Sequence, residues 1–311
     1  MRIIFFVLVL CFVSMLGGQV RDSEIPELRP GVMLDSLRFG AEGTLEIMTW
    51  NLQNFPKHAF TVDYAAEIIL AADPDLVGLQ EITSEEGFLY LIQKLNEIDN
   101  RNTWQGHKSI SDEWGHNLAY LYKSNLLRVN SVQEIYPAEE YDYAFPRRPL
   151  IMEFHYHDQN VLVINNHLKA FPGKENEARR SEAVRLLHEY IRTDLNDENV
   201  IIIGDLNDYI TDPDSVNVFN LFLNQPDEYL FTDYEIAADT LADWSYPYWK
   251  YRGHIDHILI SNELFDEFEA TGRDVKTVVI DRFMEGGEDS RYQFISDHRP
   301  VTARFRFVID D

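Results

Sequence analysis

Eight short apolar runs between residues 45 and 307 restrict the fold of this chain more than any other feature of its sequence. Each run is four to seven residues long and rich in Val, Ile and Leu, which is typical of buried β-strands. The runs are Leu45–Trp50, Leu76–Gln80, Leu118–Tyr122, Ile151–Phe154, Val161–Asn165, Val200–Ile203, Ile255–Ile260 and Val301–Phe307. Helical patterns separate only some of them, so strand and helix do not alternate strictly. The pattern therefore predicts an α/β fold in which a pair of mixed sheets is flanked by helices.

Three amphipathic segments predict the helices of this fold. The first is Val62–Ala72, which ends before Asp73–Pro74 because the residue before a proline disfavours helix. The second is Ser84–Ile98, with Ser84 as its N-cap, and the third is Glu175–Leu195. The apolar face of the third helix comprises Ala183, Leu186, Leu187, Tyr190 and Ile191. We find no internal repeat, so one domain is the simpler interpretation.

The first 18 residues resemble a signal peptide. Arg2 supplies a positive charge, and Ile3–Leu16 is an apolar run too short for an ordinary membrane span. Cleavage near Gly18–Gln19 predicts an exported protein that is secreted, periplasmic or held at the cell surface; an uncleaved anchor is the alternative. The only cysteine, Cys11, lies in this segment, which excludes disulfides and thiolate chemistry from the mature chain. Residues 19–43 are predicted to be a linker.

The chain is strongly acidic. It has 27 Lys and Arg against 53 Asp and Glu, so its formal charge is 27 − 53 = −26. This balance argues against a protein that coats nucleic acid with a broad basic face. It still permits a phosphate substrate, provided that a cation or a local basic cluster mediates the contact.

Polar residues recur beside the ends of the apolar runs, where side chains from several strands can converge. They are Asn51, Glu81, Asn166 with His167, Asp205 with Asn207, Asp256 with His257, and Asp297 with His298. A single Asn or Asp after a strand is usually a turn residue. Six such places that all supply oxygen or imidazole groups are hard to explain as turns, so we interpret them as one site.

These side chains suit metal-assisted hydrolysis of a phosphoester. Glu81 and Asp297 can supply charged oxygen ligands to Mg²⁺, and Asn51 a neutral one. A dyad of Asp256 and His298 can polarise a water molecule near neutral pH. The charge that develops on the phosphate oxygens would be stabilised by other polar groups of the site. The candidates for that role are His167, Asn166 and Asn207.

At these positions the chain resembles the endonuclease/exonuclease/phosphatase superfamily of metal-dependent phosphohydrolases, which includes deoxyribonucleases and sphingomyelinases. The matching motifs are Thr49-Trp50-Asn51-Leu52, Leu79-Gln80-Glu81-Ile82, Asn165-Asn166-His167-Leu168, Gly204-Asp205-Leu206-Asn207-Asp208, His254-Ile255-Asp256-His257 and Ser296-Asp297-His298-Arg299-Pro300. They occur in the order of the family and span residues 49–300. One such motif is weak, whereas six in order are strong.

The resemblance implies a four-layer α/β/β/α sandwich, with the site at one end of two mixed sheets and the catalytic domain at residues 44–311. It implies that Glu81 is the principal ligand of Mg²⁺ or Mn²⁺, helped by Asn51 and Asp297. It also implies that Asp256 orients His298, which is the general base or a direct phosphate contact. By the same resemblance, Asp205 and Asn207 position water and phosphate, and His167 favours a general phosphodiesterase over an abasic-site repair enzyme.

Two further positions match places where this family often has phosphate-side groups. Tyr122 is one, with strand packing as its alternative, and Arg148 is the other, with a solvated charge as its alternative. Seven basic residues also lie between residues 147 and 185, and they either form a phosphate-binding edge or decorate a helix whose acidic residues balance them. They are Arg147, Arg148, Lys169, Lys174, Arg179, Arg180 and Arg185.

The expected activity is that of a secreted phosphodiesterase acting on DNA or RNA, with no stable protein partner and a monomeric state. Two alternatives stay open, one of which is another enzyme and one of which is not an enzyme. One is a hydrolase of sphingomyelin or of a small phosphoester, and the other is a binding protein that keeps the fold without catalysis. The aromatic run Trp244–Tyr251 bears on this choice, because its rings can stack on bases, enter a lipid interface or pack on the core.

Overall fold

Two six-stranded sheets form the centre of the molecule. The computed structural model describes residues 34–111, 115–248 and 250–307. The strands are β1 (Leu45–Phe55), β2 (Leu76–Ile82), β3 (Trp104–Lys108), β4 (Asn117–Lys123), β5 (Leu127–Glu134), β6 (Leu150–Tyr156), β7 (Gln159–His167), β8 (Asn199–Asp205), β9 (Tyr229–Phe231), β10 (Asp256–Ser261), β11 (Val275–Thr277) and β12 (Val301–Phe305).

Both sheets are mixed, as the sequence predicts. The first has the strand order β11-β12-β1-β2-β4-β3, and the second has the order β5-β6-β7-β8-β10-β9. Each sheet contains one parallel pair, β1 with β2 and β7 with β8, and the neighbouring pairs are antiparallel. Parallel neighbours end at the same edge of a sheet, so each sheet brings two strand ends together there.

Three long helices lie where the sequence predicts them. They are α1 (Thr61–Ala72), α2 (Glu85–Asp99) and α3 (Lys174–Asp194). The predicted N-cap of α2 is confirmed, because the Ser84 hydroxyl accepts a hydrogen bond from the Gly87 backbone N–H at 3.0 Å. The shorter helices are α4 (Asn220–Leu223), α5 (Tyr234–Ala238), α6 (Phe265–Glu269) and α7 (Gly287–Phe294). Short 3₁₀ turns occupy Leu34–Leu37, Glu139–Tyr141, Asn262–Leu264 and Ile280–Phe283.

The buried apolar residues form three layers of packing, which define four layers of structure. The layer between the sheets includes Ile47 of β1 and Ile203 of β8. A second layer lies between the first sheet and helices α1 and α2, and a third lies between the second sheet and α3, where Leu187 packs. The four-layer α/β/β/α sandwich is therefore confirmed.

The folded unit begins earlier than the predicted boundary at residue 44. Leu37 and Phe39 are buried, and the Phe39 N–H donates to the Ala72 carbonyl at the end of α1, at 2.9 Å. This part of the predicted linker is thus packed on the domain. The predicted signal peptide lies outside the described residues. Within the described ranges, no helix is long and apolar enough to span a bilayer.

Candidate active site

Strand register brings the predicted residues to one end of the sandwich. In the first sheet, Asn51 of β1 is paired with Gln80 of β2, so Glu81 follows at the same edge. In the second sheet, His167 at the end of β7 is paired with Asp205 at the end of β8. The carboxyl ends of both parallel pairs therefore supply polar side chains to a common rim.

Two antiparallel strands add their amino-terminal ends to this rim. Asp256, the first residue of β10, is paired with Asp205. β12 begins at Val301, which is paired with Thr49 of β1, and the segment before it brings His298 to the site. Six strands therefore have an end at this rim, and each of them corresponds to one of the eight predicted apolar runs. They are β1, β2, β7, β8, β10 and β12.

The Asp256–His298 dyad is formed as predicted. Asp256 is fully buried and its Oδ2 lies 2.7 Å from Nδ1 of His298. The Ser296 hydroxyl fixes the same segment, because it accepts from the His298 N–H at 2.9 Å and donates to the Asn51 carbonyl at 2.6 Å. Burial opposes the positive charge on His298, but the carboxylates of Asp256 and Asp205 outweigh it and raise the pKa of His298 to about 10.

Glu81 lies near the end of β2, where the register of the strand with its neighbours is irregular. Its φ of +62° lies in the left-handed region, which a residue with a side chain rarely adopts. The Asn54 N–H donates to Oε2 of Glu81 at 2.9 Å, and the Asn51 amide donates to Oε1 at 3.2 Å. Backbone strain of this kind is often retained at functional sites, and here it aims the carboxylate at the rim.

Asn51 contacts two carboxylates of the rim, and its predicted role as a metal ligand stays a prediction. Its Oδ1 accepts the backbone N–H of Gln53 at 2.9 Å, and this contact fixes the orientation of the amide. Its Nδ2 consequently faces Asp205 at 2.9 Å and Glu81 at 3.2 Å. An amide nitrogen donates hydrogen bonds and does not bind a cation, so a metal contact of Asn51 would use its Oδ1.

Asp205 lies at the centre of the cluster. Its Oδ1 accepts the Asn207 N–H at 3.1 Å, while Nε2 of His298 lies 3.7 Å from Oδ2. Burial raises the pKa of Asp205 to about 7, and repulsion from Asp256 and Glu81 acts in the same direction, against the lowering effect of His298. The glycine before Asp205 is required, because a Cβ on Gly204 would lie 1.9 Å from a backbone oxygen of β7.

His167 completes the rim, and an unexpected arginine contacts it. Nε2 of His167 lies 3.5 Å from Oδ2 of Asp205. The guanidinium of Arg147 lies 2.7 Å from Nε2 and 2.9 Å from Nδ1 of His167. Burial and then the charge of Arg147 lower the pKa of His167 well below its ordinary value. Among the described residues, Arg148 makes no hydrogen bond or ion pair, so its phosphate role stays a prediction.

Two predicted phosphate contacts lie elsewhere and are corrected. Asn166 points to the opposite face of β7 from His167, because successive side chains of a strand alternate, and its Nδ2 donates to the Ile164 carbonyl. Tyr122 is paired with Leu76 at the start of β2, which is the end of the sheet remote from Glu81. Its hydroxyl donates to Gln105 at 3.0 Å.

The basic residues between 147 and 185 do not share one role: some stabilise the fold or the helix surface, and Arg147 contacts the site. Arg180 is buried and stabilises the fold, with Nε 2.7 Å from Asp208 and further bonds to backbone carbonyls. Arg185 pairs on the helix surface with Glu182 and Glu189, both at 2.8 Å. Arg147 is the member of the set that reaches the site.

Asp297 and a lysine that the sequence gave no reason to single out face the same rim. Oδ1 of Asp297 lies 3.9 Å from Nε2 of His298. Burial raises the pKa of Asp297, and Glu81 adds repulsion. The half-buried Lys57 supplies a partly compensating charge, since Asp297 and Glu81 both raise its pKa against the dominant lowering by burial.

A second buried polar group, formed by Asp233, His254 and His257, lies behind the rim. Nδ1 of His257 lies 2.6 Å from Oδ2 of Asp233, and its Nε2 lies 3.1 Å from the Asp208 carbonyl. Nε2 of His254 lies 3.0 Å from the same Asp233 oxygen. Both nitrogens of His257 thus face acceptors, and Asp233 raises the pKa of His257 against the lowering by burial, so this arrangement favours the doubly protonated, charged ring.

The fold and this set of side chains define a metal-dependent phosphoester hydrolase. The sequence profile of the Endonuclease/Exonuclease/phosphatase family matches residues 48–298. The chain belongs to this family.

Several solved structures share this fold, although their sequences have diverged. A humanized TDP2 from D. rerio superimposes with a TM-score of 0.61 and 14% identity, covering 86% of this chain and 100% of that one. The human Nocturnin catalytic domain gives 0.60 and 18%, covering 87% and 97%. A 3′ phosphatase, NExo from Neisseria, gives 0.59 and 17%, covering 85% and 100%. A search of the curated proteins gave no significant match.

Proposed function

We propose that the chain is an exported, divalent-metal-dependent phosphodiesterase that acts on nucleic acid. One observation carries this proposal. The Nε2 atoms of two histidines approach the same carboxylate oxygen, Oδ2 of Asp205, at 3.7 Å for His298 and 3.5 Å for His167. Two imidazoles next to one fixed carboxylate can contact a phosphodiester and a water molecule at the same time.

His298 would act through its Nε2 atom. Its Nδ1 is bound to Asp256 at 2.7 Å, which leaves Nε2 as the atom that meets substrate. Because its pKa of about 10 keeps the ring charged near neutral pH, Nε2 would donate a hydrogen bond to a phosphate oxygen. It could accept the proton of an attacking water only after a cation bound at the neighbouring carboxylates had lowered that pKa. Asp256 supports either role, because it fixes the orientation of the ring and stabilises its positive charge.

Asp205 and Asn207 would position the water and the phosphate. Two hydrogen bonds hold Asp205, one from the Asn51 amide and one from the Asn207 N–H. A carboxylate fixed in this way can orient a water molecule before the reaction begins, so that little reorganisation is needed. Arg147, in contact with His167, adds positive charge where phosphate oxygens would lie.

The donor set fits a hard divalent cation such as Mg²⁺ or Mn²⁺. Four carboxylates lie at or beside the rim, and Oδ1 of Asp256 is buried with no hydrogen-bond partner among the described residues. Oxygen atoms are the ligands that such cations prefer. Glu81 and Asp297 would hold the ion, and both side chains retain some exposure. When bound, the cation polarises a phosphoryl oxygen and offsets its developing charge.

The proposed substrate class draws on the structural neighbours and on local charge. D. rerio TDP2 has been solved with a single-strand DNA product, and the Neisseria 3′ phosphatase with a product DNA hairpin. The net charge of −26 opposes a polyanion at long range. We therefore expect binding of nucleic acid to depend on the cation and on the few basic groups near the rim.

Export is proposed from the amino-terminal sequence. The apolar run Ile3–Leu16 after Arg2 has the length and charge pattern of a signal peptide. Amino-terminal sequencing of the protein recovered outside the cytoplasm tests this, and a chain that starts at Met1 would contradict cleavage near Gly18.

The activity is tested by incubating the mature protein with plasmid DNA, with sphingomyelin and with a chromogenic phosphodiester, first with Mg²⁺ and then with EDTA. We expect cleavage of DNA and of the chromogenic diester, and loss of both in EDTA. If sphingomyelin is cleaved and DNA stays intact, the substrate is sphingomyelin and the nucleic acid assignment is wrong. No turnover of any of the three would indicate a binding protein on this fold.

A further inference from the structure

Four tyrosines form a continuous aromatic surface that starts at the catalytic dyad. We call Tyr246, Tyr248, Tyr251 and Tyr292 the tyrosine cluster. The ring of Tyr246 lies 4.9 Å from the ring of His298, and Tyr248 lies 6.3 Å from Tyr246. Tyr248 in turn lies 6.0 Å from Tyr251, nearly parallel at 17°, and 5.9 Å from Tyr292. Trp249 of the same run lies outside the described residues.

The cluster becomes more exposed with distance from the dyad. Tyr246 and Tyr248 are half-buried, whereas Tyr251 is 59% exposed and Tyr292 is 45% exposed. Exposed aromatic rings that continue a polar site outward are typical of a binding surface, because packing on the core would cover them. The structure therefore does not support core packing as the role of these outer rings.

The loop that carries three of the rings is held in a defined conformation. Tyr246 and Gly253 exchange two backbone hydrogen bonds, at 2.9 and 2.8 Å, which close the loop at its base. The Tyr251 N–H donates to the Tyr248 carbonyl at 2.8 Å. Arg252 stacks over Trp244 at 4.4 Å and donates to the Thr240 carbonyl. A surface fixed in this way loses little conformational entropy when it binds a flat ligand.

Two cations lie beside the outer part of the cluster. The ammonium of Lys57 is 4.6 Å from the ring centre of Tyr292 and contacts the Tyr292 carbonyl. The ammonium of Lys250 also lies 5.2 Å from the ring centre of Tyr251. The surface thus offers aromatic rings with two positive charges beside them, and Lys57 lies on the side of the rim carboxylates. Alternating bases and phosphates of a nucleic acid strand match this arrangement.

We propose that the tyrosine cluster binds unpaired nucleobases next to the phosphate that is cleaved, and so favours single-stranded nucleic acid. This inference rests on the proposed phosphodiesterase function, since the phosphate at His298 fixes the strand relative to the rings. Bases of a duplex are already stacked and paired, so they reach the rings only after the strands separate. Parallel rings with a neighbouring cation favour stacking over membrane insertion, which needs outward apolar side chains.

The test compares two single-stranded oligonucleotides, one of thymidines and one of the same length in which abasic units replace every base. Fluorescence anisotropy gives the Kd of each, and a cleavage assay with Mg²⁺ and with EDTA runs in parallel. We expect the natural protein to bind the thymidine strand roughly tenfold more tightly, the range that stacking on one or two aromatic rings gives. In Tyr251→Ala and Tyr292→Ala this ratio falls towards one, and in Tyr251→Trp it is retained. Tyr234→Ala, an exposed tyrosine of α5, is the matched control and keeps the ratio.

The outcomes separate this inference from the proposed function. Equal Kd values for both strands in the natural protein would overturn the nucleobase site, even if both strands are cleaved. Failure to cleave either strand with Mg²⁺ would overturn the phosphodiesterase function, while the Kd ratio still decides what the cluster binds. Binding to lipid is tested by sedimentation with vesicles of phosphatidylcholine and sphingomyelin. If the natural protein sediments with the vesicles and Tyr251→Ala does not, the cluster binds a lipid surface and the nucleobase proposal is wrong.

Discussion

At the scale of single residues, the geometry of the site depends on hydrogen bonds that fix one polar side chain against another. Asp256 holds His298, Asn51 holds both Asp205 and Glu81, and Ser296 ties the His298 segment to β1. Each contact fixes an atom whose position matters for the proposed chemistry. Removal of one member should therefore affect the reaction more than the stability of the fold.

His298→Ala should lower kcat by about 10²- to 10⁴-fold, because it removes the group that exchanges a proton with water or stabilises the phosphate charge. The rate is measured on a chromogenic phosphodiester under saturating Mg²⁺. Circular dichroism shows that the fold persists, while Tm should fall because Asp256 is left buried without its positive partner. A variant that keeps more than about a tenth of the rate would contradict a direct role of this ring.

Glu81→Gln should weaken cation binding specifically, since it removes a ligand charge with little change in size. The midpoint of the Mg²⁺-dependent rise in Tm should move to higher concentration, and the midpoint for activity should move with it. Glu86→Gln, on the exposed surface of α2, is the control. An unchanged midpoint in Glu81→Gln would show that the ligand assignment is wrong.

The sequence predicted residue types better than it predicted side-chain directions. Asp205, Asp256 and His298 are recognisable because polar residues follow or begin apolar strands. Asn166 was misassigned because the face that a side chain takes depends on the exact phase of the strand. Tyr122 was misassigned because β4 runs antiparallel to β2, so its end is remote from Glu81. A short apolar run predicts neither the direction of a strand in its sheet nor which face of the sheet each side chain takes.

At the scale of elements, the eight predicted strands are the central ones and the four that were missed are the edges. β11 and β3 border the first sheet, and β5 and β9 border the second. Central strands are covered on both faces and read as continuous apolar runs. Edge strands carry polar residues on one side, and β5 consists of exposed and partly buried positions after its one buried residue, Leu127. An apolar-run criterion therefore finds the strands that position the site and misses those that border it.

The close approach of β7 and β8 behind Asp205 gives a prediction at this scale. Gly204→Ala would put a Cβ 1.9 Å from the Asn166 carbonyl oxygen, at a φ of +143°. We expect a loss of at least about 3 kcal/mol in the free energy of unfolding, or failure to fold, because backbone cannot move aside easily. Gly43→Ala is the matched control, since its φ is +74° with nothing within 4 Å, and should cost about 1 kcal/mol. Urea denaturation measures both, and equal losses would contradict a packing role for Gly204.

At the scale of the whole molecule, two groups of acidic residues differ in how their charge is compensated. The rim gathers four carboxylates with few cations nearby, so a divalent ion relieves their mutual repulsion. Behind the rim, Asp233 is paired with the charged ring of His257, which also contacts the segment after β8 through the Asp208 carbonyl. This buried ion pair links β10 to the loop that carries Asn207, and its contribution to stability should depend on pH.

The pKa of His257 is raised above its ordinary value of about 6.5, because the charge and hydrogen bonds of Asp233 outweigh the lowering effect of burial. A raised pKa means that the folded state binds more protons than the unfolded state above pH 6.5. The stabilisation by His257 is therefore complete below about pH 6.5 and is lost as the pH rises through the folded-state value. Guanidinium denaturation from pH 5 to 9 measures the free energy of unfolding of the natural protein and of His257→Asn. The difference between the two should narrow above pH 6.5.

His188→Asn is the control with the opposite sign, because burial lowers the pKa of His188. The difference in free energy of unfolding between the natural protein and His188→Asn should therefore widen as the pH rises towards 6.5. A difference for His257→Asn that stays constant from pH 5 to 9 would mean that His257 is neutral and that hydrogen bonds alone join it to Asp233.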